Sequence, residues 1–167
     1  MTISLICDRI YSYAEQVPIG EKITGQQFGA MRLLFLDNNP DQLDLMRCRL
    51  EGISIIREVL YFQNDQEALV ALTGQPGAFD GVVTDLRRDG PGTGERFIAT
   101  LKKIDPIVPI AIITGELLTR QKTRALCNVG ADFVFNRLAL LTEDRLVALF
   151  TEMARLGQQR RDNQILL

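Results

Sequence analysis

Four short stretches hold the side chains best suited to chemistry: Asp37-Asn38, Thr84-Asp85, Thr114-Gly115-Glu116 and Asn136-Arg137. Each closes a run of apolar, β-favouring residues. Two carboxylates, a hydroxyl and a cation brought to one place can hold a divalent ion and a phosphoryl group. A hard cation such as Mg2+ takes oxygen ligands, keeps several waters, and neutralises charge as a carboxylate attacks phosphorus. The chain has no histidine. That removes zinc sites built on imidazole, Ser-His triads and histidine general bases, so any phosphohistidine donor must be another protein.

For these stretches to meet, strands must end side by side. From residue 32 onward, apolar runs alternate with helical patterns. Strands are expected at Arg32–Asp37, Ile53–Phe62, Phe79–Asp85, Ile107–Thr114 and Asp132–Asn136. Asn39-Pro40 reads as an N-cap with proline at the first helical position, opening a helix that carries Leu43, Met46 and Leu50. Asn64 to Glu67 resembles a capping box opening a helix through Leu72. Phe97, Ile98 and Leu101 mark a third helix, stopped before Pro106. Leu117–Val129 is a fourth, ended by Gly130, and Thr142 caps a fifth with Glu143 and Asp144 in its first turn. Strand–helix alternation implies right-handed crossovers and a parallel sheet covered on both faces. In such α/β sheets ligands collect beyond the carboxyl ends of the strands, where all four stretches fall.

The domain is expected to span 31–156. Residues 1–30 form an extension with Ile6, Ile10, Tyr13 and Val17 on one helical face before Pro18 and Gly20. It serves docking or homodimer formation, or is dispensable if Met31 is the true start. Residues 157–167, polar until Ile165, form a tail expected to fray. The bulk properties fit one globular domain: 46% of the 167 residues are hydrophobic and 24% charged. A net charge of −2 argues against a nucleic-acid-binding body. No apolar run reaches the roughly 18 residues of a membrane span. Three scattered cysteines, Cys7, Cys48 and Cys127, suit free thiols in a reducing cytoplasm.

Taken in order, RLLFLDNNP, VVTDL, PIAIITGE and GADFVFNR resemble the four conserved stretches of response regulator receiver domains, over residues 32 to about 156. The resemblance implies a flavodoxin-like (βα)5 domain with strand order 2-1-3-4-5. It makes Asp85 the phosphoacceptor. Mg2+ ligands fall on Asp37, Asn38, Asp85 and the backbone carbonyl of Arg87. The hydroxyl switch falls on Thr114 and the phosphate-sensing cation on Arg137, while Arg87 and Glu116 take the positions that tune phosphate lifetime. The implied partners are a histidine kinase or phosphotransfer protein upstream and a downstream protein on the face of helix 4, strand 5 and helix 5.

The departures from the pattern are specific. Asn38 replaces an acidic ligand, which predicts weakened Mg2+ binding. Arg137 replaces a lysine, and its planar fork can pair with Asp85. Leu138 replaces a proline, so a trans peptide is expected. The aromatic switch position holds Val134, with Phe133 and Phe135 on the opposite face by strand alternation. The loop after Asp85 is about one residue longer, and Arg87 could pair with Glu116 across its mouth. Gly90–Gly94 lacks the Lys-Ser/Thr of a phosphate-cradling loop and reads as flexible. Arg120, Lys122 and Arg124 form a basic cluster on the fourth helix, most simply a solvated face.

Three functions compete. The first is a stand-alone receiver phosphorylated on Asp85, not an enzyme beyond its own phosphorylation and dephosphorylation. The second is a pseudo-receiver that works as an interaction module without phosphorylation. An aspartate-nucleophile phosphatase is disfavoured, because Asp37-Asn38-Asn39 lacks its Asp-x-Asp.

Overall fold

The computed structural model describes residues 29–86, 92–140 and 142–165. The expected helix near residues 6–17, Arg87 and the start of the Gly90–Gly94 loop lie outside them. The strands are β1 (Met31–Leu36), β2 (Ile56–Phe62), β3 (Gly81–Thr84), β4 (Ile110–Thr114) and β5 (Phe133–Asn136). Between them run α1 (Pro40–Leu50), α2 (Asp65–Gly74), α3 (Thr93–Ile104) and α4 (Arg120–Val129). A 3-10 turn, Arg137–Leu140, leads into α5 (Glu143–Ile165). All strand pairings are parallel, in the order β2-β1-β3-β4-β5. That is the topology expected from the resemblance.

Side-chain alternation along the strands divides the core in two. Leu33, Phe35, Val83, Ala111 and Ile113 point to the face covered by α1 and α5. Leu34, Leu36, Val82, Ile110 and Ile112 point to the face covered by α2, α3 and α4. Nearly all of these strand residues are fully buried, as central parallel strands require. Val134 joins the second face, whereas Phe133 and Phe135 pack on the first. The outer strands differ from the inner ones: β2 places Arg57 and Glu58 in solvent, and β5 is four residues long.

Local chemistry explains the helix starts. The Asn39 side chain accepts from the backbone N–H groups of Asp41 (2.9 Å) and Gln42 (3.4 Å), with Pro40 in the first turn. Asn64 accepts from Glu67 N–H at 2.9 Å. Thr119 caps α4 by accepting from Lys122 N–H, so α4 begins three residues later than the expected Leu117. Gly94 serves close packing rather than flexibility. A Cβ there would lie 2.5 Å from the backbone oxygen of Leu86, the residue after Asp85.

The final helix corrects the expected tail. It continues through Gly157, which is buried against Pro109, and on to Ile165. Its last turns are held by Asp132. The Asp132 carboxylate receives both terminal nitrogens of Arg160, accepts from Ile110 N–H at 2.9 Å, and is approached by Lys102 Nζ at 3.5 Å. Lys102 also donates to Val108 O at 2.7 Å. Polarity alone made this stretch read as a loose end. Two of its residues, Arg160 and Arg161, are ion-pair partners of Asp132 and Asp80 at the amino-terminal rim of the sheet.

Candidate functional site

At the opposite rim, the hydrogen-bond ladder runs one residue beyond two strands and so fixes two carboxylates. Asp37 N–H donates to Phe62 O at 3.2 Å, and Asp85 N–H donates to Leu36 O at 3.0 Å. Asp37 Oδ1 then accepts from Asn39 N–H at 3.0 Å, which orients its side chain at the mouth of α1. Both carboxylates are nearly enclosed, with side-chain exposures of 5% and 10%.

Arg137 supplies their counter-charge. Its Nη2 donates to Asp37 Oδ2 at 3.0 Å and to Asp85 Oδ1 at 3.2 Å, from residues 100 and 52 positions away. Charge-assisted bonds of this kind contribute about 1.5–3 kcal/mol each when shielded from water. Three of the expected site residues therefore meet in one place.

The loop carrying the arginine is itself tied down. Asn136 Nδ2 donates to Glu116 O at 2.9 Å, while its Oδ1 accepts from Leu138 N–H at 2.9 Å. This amide staples the exit of β5 to the loop after β4. Arg145 donates to Ala139 O at 2.7 Å and Arg49 to Leu140 O at 3.4 Å. The Arg137–Leu138 peptide bond is trans, as Leu138 predicts, and Leu138 is exposed.

The remaining expected residues sit differently. Thr114 is buried at the end of β4, and its hydroxyl accepts from Glu116 N–H at 3.2 Å. Asn38 is exposed. Glu116 pairs with Lys122 of α4, so one member of the basic cluster has a partner at the rim rather than a solvated role. The expected Arg87–Glu116 pair, and the Arg87 carbonyl as a ligand, lie outside the described residues. Two contributions were not anticipated. Lys122 follows Glu116 by six residues, which puts it one turn into α4. Asn136 was expected at the rim beside Arg137, but its clasp between two loops was not.

A divalent cation would need the same two carboxylates. Among the described residues no group of three or more acidic, cysteine or histidine side chains is placed to hold a metal ion. An ion shared through Asp37 Oδ2 and Asp85 Oδ1 would compete with Nη2 of Arg137, which donates to both. The residues present do not fit a divalent cation alongside Arg137 in this position.

No protein-family model matches the chain, and no curated protein matches it. Solved structures do. The CheY-like response regulator receiver domain protein from Methanospirillum hungatei JF-1 superposes with a TM-score of 0.66 at 18% identity, over 78% of this chain and 98% of that one. A response regulator receiver domain protein from Clostridium thermocellum gives 0.62 at 22% identity, over 82% and 99%. The beryllofluoride-activated receiver domain of DrrB gives 0.61 at 17% identity, over 75% and 98%. The chain has the receiver-domain fold.

Within the receiver fold, the acidic rim lies where strand order reverses, beside β1 and β3. No helix among the described residues is long and apolar enough to cross a membrane.

Proposed function

We propose that the chain is a two-component receiver in which Asp85 accepts a phosphoryl group from a histidine kinase or phosphotransfer protein. The observation that carries this reading is the convergence of Asp37, Asp85 and Arg137 at one enclosed rim. In the reaction, a carboxylate oxygen of Asp85 attacks phosphorus and the new P–O bond forms as the donor's P–N bond breaks. The electron pair stays with the imidazole nitrogen, which takes a proton from solvent. Arg137 stands ready to pair with the oxygens of the transferred group, since a guanidinium fork matches phosphate geometry.

Phosphorylation places a charge of about −1.5 to −2 where one carboxylate stood. Arg137 then has a stronger partner than Asp37, and the segment that carries it is joined to the loop after β4 through Asn136. The α4, β5 and α5 surface is the proposed output face. Thr114 is the proposed hydroxyl switch, with Arg87 and Glu116 as lifetime-tuning positions. A second reading is favoured by the bridging arginine itself. A pocket already neutralised by Arg137 suits a phosphorylation-independent interaction module.

The test treats the full chain with acetyl phosphate, or with beryllofluoride, in the presence and absence of Mg2+. Intact mass and amide NMR shifts are read, with Asp85→Ala as control. A receiver gains one phosphoryl group and shifts its α4–β5–α5 resonances, and Asp85→Ala does neither. Silence under all conditions selects the module.

A further inference from the structure

We infer that Arg137 holds the place of a divalent cation in this pocket, so that guanidinium and metal exclude one another. The inference concerns the ionic geometry alone and does not need Asp85 to accept phosphate.

The charges argue for it first. Asp37 and Asp85 together bring two negative charges into a nearly enclosed space, and Asn38 adds none. One nitrogen of Arg137 touches both carboxylates, at 3.0 and 3.2 Å. A site with a third carboxylate would keep enough negative charge to recruit a metal beside an existing cation. Among the described residues at this rim, Arg137 offsets one of those two charges. An incoming divalent ion would meet the guanidinium at contact distance, where like charges repel most strongly.

The anchoring argues for it second. Arg137 is carried by an anchored segment. Its neighbours on both sides are fixed through Asn136 to Glu116 O and Leu138 N–H, and the following turn is held by Arg145 and Arg49. The cation belongs to the fold rather than to the solvent.

The test titrates Mn2+ into the full chain by calorimetry, using wild type, Arg137→Gln, and the double variant Arg137→Gln/Asp85→Asn. Arg137→Gln is expected to bind Mn2+ at least about tenfold more tightly than wild type, a difference of about 1.4 kcal/mol. The double variant is expected to lose that gain. A smaller ratio, or a gain that survives loss of the Asp85 carboxylate, overturns the inference.

Should Arg137→Gln fail to fold, wild type alone decides. Millimolar Mg2+ is expected to leave the Arg137 Nε–Hε resonance in place. A saturable shift of that resonance, moving together with the Asp37 and Asp85 amides, overturns the inference. A chain that refuses acetyl phosphate yet shows the tenfold gain would sink the proposed function and leave this inference standing.

Discussion

At the scale of single residues, truncating Arg137 removes the cation that two enclosed carboxylates share. Removing one partner of a fully buried ion pair costs about 3–5 kcal/mol. Arg137 is 29% exposed, so water screens part of the loss and roughly 2–3 kcal/mol is expected for Arg137→Ala. Adding Asp85→Asn removes the like-charge repulsion, so the double variant should be more stable than the single one. Urea unfolding of both tests this, and additive penalties would contradict the shared-cation geometry. Asp37, Asp85 and Arg137 were legible in the sequence because each ends a recognisable strand. The clasp at Asn136 was not, because an amide's partners across two loops leave no local pattern. Neither was the pairing of Glu116, where Lys122 was available within α4.

At the scale of elements, the site depends on how closely α3 approaches the residues after β3. Gly94→Ala would drive a methyl group to 2.5 Å from the Leu86 carbonyl oxygen and 3.0 Å from its Cα. Backbone yields poorly, so a loss of roughly 1–3 kcal/mol is expected, with NMR shifts centred on Leu86 and Asp85. An unchanged melting temperature would show that the contact is slack. Strand and helix order came through the sequence intact, since alternation of β-branched runs with capped helices is a repeated signal. Boundaries came through less well. Ile53 and Ile55 are buried as strand residues are, yet they lie in a turn in which Ile56 N–H donates to Ile53 O at 2.9 Å. Asp105 likewise caps Ile107 and Val108 from the side, so β4 opens only at Ile110. Hydrophobicity records burial and says little about where a ladder begins.

At the scale of the whole molecule, an arginine closes each rim of the sheet: Arg137 on Asp37 and Asp85, Arg160 on Asp132. Lys102 shares the second network, and burial, partly offset by Asp132, lowers its pKa from 10.5. Folded Lys102 therefore releases its proton before unfolded Lys102 does. In the alkaline range below 10.5 the unfolded chain binds more protons, and this residue makes stability rise with pH. Tyr61, whose pKa is raised above 10.0 chiefly by burial, contributes the opposite slope. Comparison with Lys102→Met isolates the lysine: the stability of wild type relative to the variant should increase as pH climbs toward 10.5. A flat difference in urea unfolding would refute it.

The outer strands carry a last consequence. A parallel sheet grows when a neighbour's backbone finds a long, uncharged margin on which to template. Here one margin displays Arg57 and Glu58, and the other is only four residues long. Copies of this chain that associate are thus steered away from fibre-like stacking and toward contacts made by helices and loops.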